Sequence, residues 1–325
     1  MENSAKYFEN RSCDYYPCHK GMEELNCLFC YCPFYGWEEC PGKNEYVTKK
    51  DGRRIKVCTD CTFPHVPGNW EKVVGILKMG QQAYYKEKHP LPCKFYGIGV
   101  GPGEASLITK KASQILKLVD VLVLPGKKEN CRAYDIAVEA MPEIAGKECV
   151  FLPFPMSMKE PELTAFHRAV AEQVTEFLKE GKSVGFLSIG DVTIYSTYAY
   201  VEQLVAEAGW ETEYVNGIPS FLASAARLGV PLTLGSEEMH IIPGSADVET
   251  ALMLPGTLVF MKSGKKLLEL KTKLIELSKV KDMEVMAVSN CGMQNELVTI
   301  GAEKITEENG YLTVVIVRKK TCYQP

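Results

Sequence analysis

The segment Phe95-Tyr96-Gly97-Ile98-Gly99-Val100-Gly101-Pro102-Gly103-Glu104 constrains the fold more than any other part of this chain. Four glycines alternate through the exit of an apolar stretch and lead directly into a helical pattern. A backbone without Cβ atoms admits a ligand or a second loop at van der Waals distance, and it reaches positive φ without strain. Downstream, apolar runs at 95–100, 120–124, 149–153, 183–188 and 213–215 alternate with helical patterns at about 105–118, 133–140, 162–179, 196–208 and 218–228. This is the signature of βαβ units and a mainly parallel sheet. Gly229-Val230-Pro231 breaks the series. Beyond it, runs at 239–242, 258–261, 285–288 and 312–317, with a helix at about 265–278, predict a second α/β domain with a mixed sheet.

The first fifth of the chain is different in kind. Eight cysteines and two histidines lie between Cys13 and His65, among aromatic residues, prolines and glycines that show little helix or strand periodicity. Such a segment has too little apolar material to offset its chain entropy without cross-links. The spacing is Cys13-x4-Cys18-His19, Cys27-x2-Cys30-x-Cys32-x7-Cys40 and Cys58-x2-Cys61-x3-His65. Each Cys-x-x-Cys pair lets two thiolates share a tetrahedral ion, and ten donors suffice for two four-coordinate sites. One workable partition places Cys27, Cys30, Cys58 and Cys61 on one zinc and Cys13, Cys18, Cys32 and Cys40 on the other, with His19 or His65 able to replace a thiolate. An iron–sulfur cluster is the alternative. A structural metal, cobalt delivery and electron transfer are all open as roles. From Trp70 to Tyr85 the positions Val73, Val74, Ile76, Leu77, Met79 and Ala83 predict one helix, ended by His89-Pro90-Leu91-Pro92. The expected organisation is a metal-binding domain at 1–68, a helical linker at 69–93, and α/β domains at 94–228 and 229–325.

Charge and composition exclude other classes. A net charge of −4 with dispersed Lys and Arg leaves no basic stripe for nucleic acid. No run of about 18 apolar residues predicts a membrane span, and the polar start Met1-Glu2-Asn3-Ser4 lacks a signal peptide's apolar region. A cytosolic location is expected, where clustered cysteines bind metal rather than form disulfides.

The glycine run is not a dinucleotide fingerprint. Its spacing never gives Gly-x-Gly-x-x-Gly, Pro102 sits where the third glycine would fall, and no ribose-binding acid follows the next strand. Later motifs point elsewhere. Gly185-Phe186-Leu187-Ser188-Ile189-Gly190-Asp191-Val192-Thr193-Ile194-Tyr195-Ser196-Thr197 follows a buried strand, then Val215-Asn216-Gly217-Ile218-Pro219-Ser220-Phe221 runs into Ala225-Ala226-Arg227-Leu228-Gly229-Val230-Pro231-Leu232. Over residues 94 to about 320 this series resembles the tetrapyrrole methylases. Its Gly-Asp and Pro-Ser-Phe segments look like those of the precorrin-2 or cobalt-factor II C(20)-methyltransferases. The segments around Cys27–Tyr35 and Asp60–His65 resemble a cysteine-rich small metal-binding domain.

The resemblance implies a two-domain α/β fold, a homodimer, and S-adenosylmethionine-dependent methylation of carbon 20 of precorrin-2 or cobalt-factor II in corrin synthesis. Methylation of another tetrapyrrole carbon and a non-catalytic metal- or tetrapyrrole-binding role are the alternatives. The donor pocket it implies comprises Pro102, Gly190, Asp191, Ile194, Ser196, Thr197, Gly217, Ser220, Met261, Asn290, Cys291 and Gly292. Val192 and Asn216 depart from the family's usual residues. The chemistry is consistent on its own terms, because a sulfonium, an ammonium and a ribose diol need acceptors and close backbone. Asp191 is either such an acceptor or a helix N-cap. Asp191 and Tyr195 are the candidate proton acceptors. Two of Tyr195, Tyr198 and Tyr200 are expected in the core, and His167 on a solvated helix face.

Overall fold

In a computed structural model of the protein, residues 3–152, 160–244, 246–280 and 282–319 are described. The chain divides into two compact units, Met1–Pro90 and Leu91–Pro325.

The first unit contains one antiparallel hairpin, β1 (Glu45–Thr48) with β2 (Arg54–Val57), and two helices, α1 (Trp70–Met79) and α2 (Gln81–Lys88). The single helix expected over 70–85 is interrupted because Gly80 takes φ 85, a left-handed value that ends α1. Both helices lie within this unit rather than in a linker: Tyr84 of α2 stacks against Trp37 with ring centroids 6.0 Å apart. Apolar burial is sparse. Among the described residues of this unit, only Tyr7, Leu25, Phe34, Cys61, Pro64, Val73 and Tyr84 are buried apolar side chains. Polar groups do much of the organising instead. Buried Asn26 accepts from the Phe8 and Leu28 amides at 3.2 Å each and donates to the Lys6 carbonyl at 2.9 Å. Buried Lys56 donates to the carbonyls of Phe34 and Trp37.

The second unit holds two five-stranded sheets. The first is built from β3 (Phe95–Gly99), α3 (Lys110–Leu118), β4 (Val121–Pro125), α4 (Arg132–Ala140), β5 (Glu148–Leu152), α5 (Glu160–Lys179), β6 (Val184–Ser188), α6 (Tyr198–Glu207), β7 (Thr212–Val215) and α7 (Ser220–Leu228). Its order is β5-β4-β6-β3-β7, and every pairing is parallel. Two apolar layers cover it, one carrying Leu116 and Ala137 from α3 and α4, the other Val174 and Val201 from α5 and α6. Burial on both faces explains why β3, β4 and β6 read as continuous apolar runs. The second sheet follows with β8 (Met239–Pro243), α8 (Val248–Met253), β9 (Thr257–Met261), α9 (Leu267–Ser278), β10 (Met283–Ser289), β11 (Leu297–Ile300) and β12 (Thr313–Lys319). Its order is β11-β10-β12-β9-β8, parallel only between β8 and β9.

Several local expectations change. The helix expected from 105 starts at Lys110, because Thr109 caps it by accepting from the Ala112 amide. Only Tyr198 of the three tyrosines is in the core; Tyr195 is half exposed and Tyr200 is 61% exposed. His167 is buried, stacked flat on Tyr200 at 5.0 Å, not on a solvated face.

Candidate active site

Parallel sheets bind ligands in the crevice beyond the carboxyl ends of their strands. Here the loops leaving β3, β6 and β7 meet at that edge. Gly101 and Gly190 form a bridge, with Gly190 N–H donating to the Gly101 carbonyl at 2.7 Å and the reciprocal bond at 3.2 Å. A Cβ on Gly99 would stand 2.6 Å from the Gly217 nitrogen, and one on Gly217 would stand 2.1 Å from the Gly190 carbonyl oxygen. The bare backbone foreseen from the sequence is therefore filled by neighbouring loops at these positions. Gly103 serves the same purpose against the second sheet, since a Cβ there would lie 2.2 Å from the Cys291 carbonyl oxygen.

Asp191 ties this junction together. One carboxylate oxygen accepts from the Thr193 amide and hydroxyl, the other from the Asn216 side chain at 3.2 Å and the Gly217 amide at 3.0 Å. Burial alone would raise its pKa, but the four donors outweigh burial and hold it below the ordinary aspartate range. This departs from the expectation of a carboxylate facing a ligand or taking a proton: the group is ionised, saturated by protein donors and absent from the cavity lining.

Above the junction lies a cavity of about 860 Å³ between the two sheets of this unit. Of the residues expected from the sequence, Pro102, Ile194, Tyr195, Ser196, Thr197, Ser220, Met261, Asn290 and Cys291 line it together. Gly190, Asp191, Gly217 and Gly292 lie outside the lining. Burial raises the Tyr195 phenol pKa above its usual 10, so the group is protonated at neutral pH.

Sequence reasoning missed the cations. Lys127 after β4, Arg132 at the start of α4 and Lys262 after β9 all line the cavity, and among the described residues no Asp or Glu does. In a chain of net charge −4 this is a local reversal of sign. The signal available was weak, because each is an isolated basic residue just past a strand end. Arg132 is 3.6 Å from Asp135, and Lys262 donates to the Tyr195 carbonyl at 2.6 Å.

In the first unit, Cys30 N–H donates to the Cys27 carbonyl and Cys61 N–H to the Cys58 carbonyl, the tight turns that present two thiols on one side. All described cysteines are free. Burial raises the Cys18 pKa, and the thiols of Cys27, Cys30 and Cys13 raise it further. Burial likewise raises Cys58, with added contributions from Cys40, Cys61 and Cys32. Cys18 thus lies near Cys13, Cys27 and Cys30, and Cys58 near Cys32, Cys40 and Cys61. His19 and His65, with rings 4.5 Å apart, share a cavity of about 280 Å³ with Cys30, Cys32, Cys58 and Cys61. As placed, no group of three or more His, Cys, Asp or Glu among the described residues could hold a metal ion.

The parallel sheet, its three-loop junction and the adjoining cationic cavity form a ligand cleft at the carboxyl edge of the strands. Residues 94–305 match the family Tetrapyrrole (Corrin/Porphyrin) Methylases, and residues 4–88 match the Cysteine-rich small domain. The chain belongs to the tetrapyrrole methylases, S-adenosylmethionine-dependent methyltransferases, and carries a cysteine-rich domain before the methylase domain. It is 36% identical over 230 residues, 70% of this chain and 96% of the relative, to a probable cobalt-precorrin-2 C(20)-methyltransferase of Methanocaldococcus jannaschii. It is 33% identical over 174 residues, 52% of this chain and 72% of the relative, to a cobalt-precorrin-2 C(20)-methyltransferase of Salmonella typhimurium. Among solved structures, the fold matches a uroporphyrin-III C-methyl transferase of Thermus thermophilus complexed with S-adenyl homocysteine. The TM-score is 0.51 at 20% identity, over 69% of this chain and 97% of that one.

Proposed function

We propose that this methylase transfers a methyl group to carbon 20 of precorrin-2 or cobalt-factor II in corrin synthesis. The observation that carries the reading is the cavity: about 860 Å³, lined among the described residues by three cations and no carboxylate, in an acidic protein. Corrin precursors are polycarboxylates, and a cleft of one sign concentrates ligands of the other. The relatives named for the same reaction support the choice of carbon.

The donor fits the residues present. Pro102, Ile194, Ser196, Thr197, Ser220, Met261, Asn290 and Cys291 offer hydroxyls, backbone carbonyls and small apolar walls, which suit a ribose diol and an adenine. When bound, S-adenosylmethionine supplies the activated methyl. Gly190, Asp191 and Gly217 act one layer back, fixing the loops that carry those residues. The electron-rich macrocycle is the nucleophile, so alignment of the two ligands is what the protein contributes. Tyr195, protonated and on the cavity wall, is available as a hydrogen-bond donor. Incubation with S-adenosylmethionine bearing a ¹³C methyl, with each tetrapyrrole in turn, is the test. Mass spectrometry should show one added methyl, and carbon-13 NMR should place it at carbon 20; a methyl at another carbon would refute the assignment.

We further propose that residues 1–68 bind zinc through Cys13, Cys18, His19, Cys27, Cys30, Cys32, Cys40, Cys58, Cys61 and His65, each ion drawing one set of four thiols together. The donor chemistry suits zinc, and the near absence of apolar burial calls for a cross-link. A division at 228, a cytosolic location and a homodimer belong to the same reading. Among the described residues no helix is long and apolar enough to cross a membrane, and edge strand β11 exposes Val298 and Ile300 on one face, which a second copy would cover.

A further inference from the structure

Among the described residues, three that are not glycine take a left-handed backbone: Tyr195 at φ 50, Lys262 at φ 55 and Asn290 at φ 49. All three line the same cavity. Strained backbone of this kind persists where surrounding structure over-determines it, and it gathers at ligand sites. Asparagine tolerates the left-handed region through its short polar side chain, but lysine and tyrosine do not share that excuse.

Lys262 is held from beneath. The Gly244 amide donates to the Met261 carbonyl at 2.7 Å, and a Cβ on Gly244 would stand 2.3 Å from the Lys262 carbonyl oxygen. So fixed, the backbone sends the side chain across the cleft. Its ammonium donates to the Tyr195 carbonyl at 2.6 Å and sits 5.8 Å from the centroid of the Tyr195 ring. The two strained residues therefore face each other from the two sheets of the unit.

That contact uses one of three ammonium protons. Among the described residues no carboxylate pairs with Lys262, whereas Arg132 has Asp135 at 3.6 Å. Although much of the side chain meets solvent, partial burial of the ammonium lowers its pKa below that of ordinary lysine. A cation that loses hydration without a counter-ion is costly, and a bound anion removes that cost.

We infer that Lys262 is the carboxylate anchor of the active site, receiving a side-chain carboxylate of the tetrapyrrole. The amino-acid carboxylate of the methyl donor is the other source of the same chemistry. The inference rests on the functional reading above and adds to it the residue that grips the substrate. Tyr195 sets the ammonium's position from the opposite wall.

The experiment uses the full chain and its Lys262→Met, Lys262→Arg and Lys262→Gly variants. Cobalt-factor II is titrated in saturating S-adenosylhomocysteine, so that no turnover occurs, and S-adenosylhomocysteine is titrated alone by calorimetry. The expected result is a tetrapyrrole Kd raised about 10-fold or more in Lys262→Met, largely restored in Lys262→Arg, with donor-product affinity within about two-fold of wild type. Lys262→Gly should lose the same affinity while its melting temperature rises, because glycine relieves the left-handed strain; a merely structural lysine would lower it. If only the S-adenosylhomocysteine affinity falls, the anchored carboxylate is the donor's. Unchanged affinities for both ligands in a folded Lys262→Met would overturn the anchor and leave the functional reading standing. Wild-type protein that binds cobalt-factor II without methylating carbon 20 would do the reverse.

Discussion

The two units of this chain hold themselves together by different means. In Leu91–Pro325 the strands β3, β4 and β6 of the parallel sheet are buried on both faces, and clusters around Leu122, Phe186 and Phe260 exclude water from whole side chains. In Met1–Pro90 a handful of apolar residues is buried, and the chain is pinned by a carboxamide, an ammonium and a carboxylate that bond to backbone or phenol groups. Glu9 is typical. It accepts from the Tyr16 hydroxyl at 2.7 Å and the Leu25 amide at 3.1 Å, and these bonds pull its pKa down to about 2. Directional polar contacts exchange for contacts with water at little net gain, whereas apolar burial is a large one-way gain. The contrast teaches that the first unit needs an additional constraint and the second does not.

The largest effect follows from that contrast. Removing bound metal with a strong chelator should unfold residues 3–90, exposing their amides to hydrogen exchange, while the sheets of residues 91–319 keep their protection. Cys58→Ser with Cys61→Ser should reproduce half of the loss, confined to the set that also contains Cys32 and Cys40. Full protection of the first unit in metal-free protein would break the comparison.

Within the second unit the sharpest point is the glycine junction. Gly217→Ala puts a Cβ 2.1 Å from the Gly190 carbonyl oxygen, which is backbone and has no rotamer to escape into. The expected cost is about 3 kcal/mol in a denaturant melt, with loss of donor binding, since the loops carrying Ser196 and Ser220 must part. Gly190→Val is the companion variant at the same junction. At φ 74 the position strains any branched residue, so that variant should also destabilise.

How much of this was legible in the sequence depended on the range over which each signal acts. The strands and helices of the second unit follow from apolar runs such as Val121–Leu124 and from breakers such as Gly229, which act locally. β11 was missed because Leu297, Val298 and Ile300 lie at an exposed edge, where no buried face imposes a pattern. The motifs named residues that line one cavity, whereas Asp191 bonds to protein donors that the sequence did not point to. Nothing local says that Asn216 and Gly217, some 25 residues onward, will take both faces of one carboxylate oxygen. Lys262 was invisible for the same reason, since its meaning comes from Tyr195 on another sheet. In the first unit the cysteine spacing announced ligands but not their grouping, because Cys13 and Cys30, or Cys32 and Cys58, come together only through an irregular path that periodicity does not describe.

The smallest expected effect tests whether the second unit also relies on directional polar bonds at its site. Asp191→Asn keeps the shape but turns one acceptor into a donor, which must then face either the Thr193 pair or the Asn216 and Gly217 pair. The loss should be about 2 kcal/mol at neutral pH, the range for hydrogen bonds to a charged group. Its pH dependence has a definite sign. The folded pKa lies below the ordinary aspartate value of 3.8, so the ionised carboxylate stabilises the fold fully above that value and progressively less as pH falls through the folded pKa. Melts of wild type and Asp191→Asn should therefore be farthest apart at neutral pH and converge below about pH 4. A gap that stays constant into acid would mean that the carboxylate's charge contributes nothing and that shape alone holds the three loops.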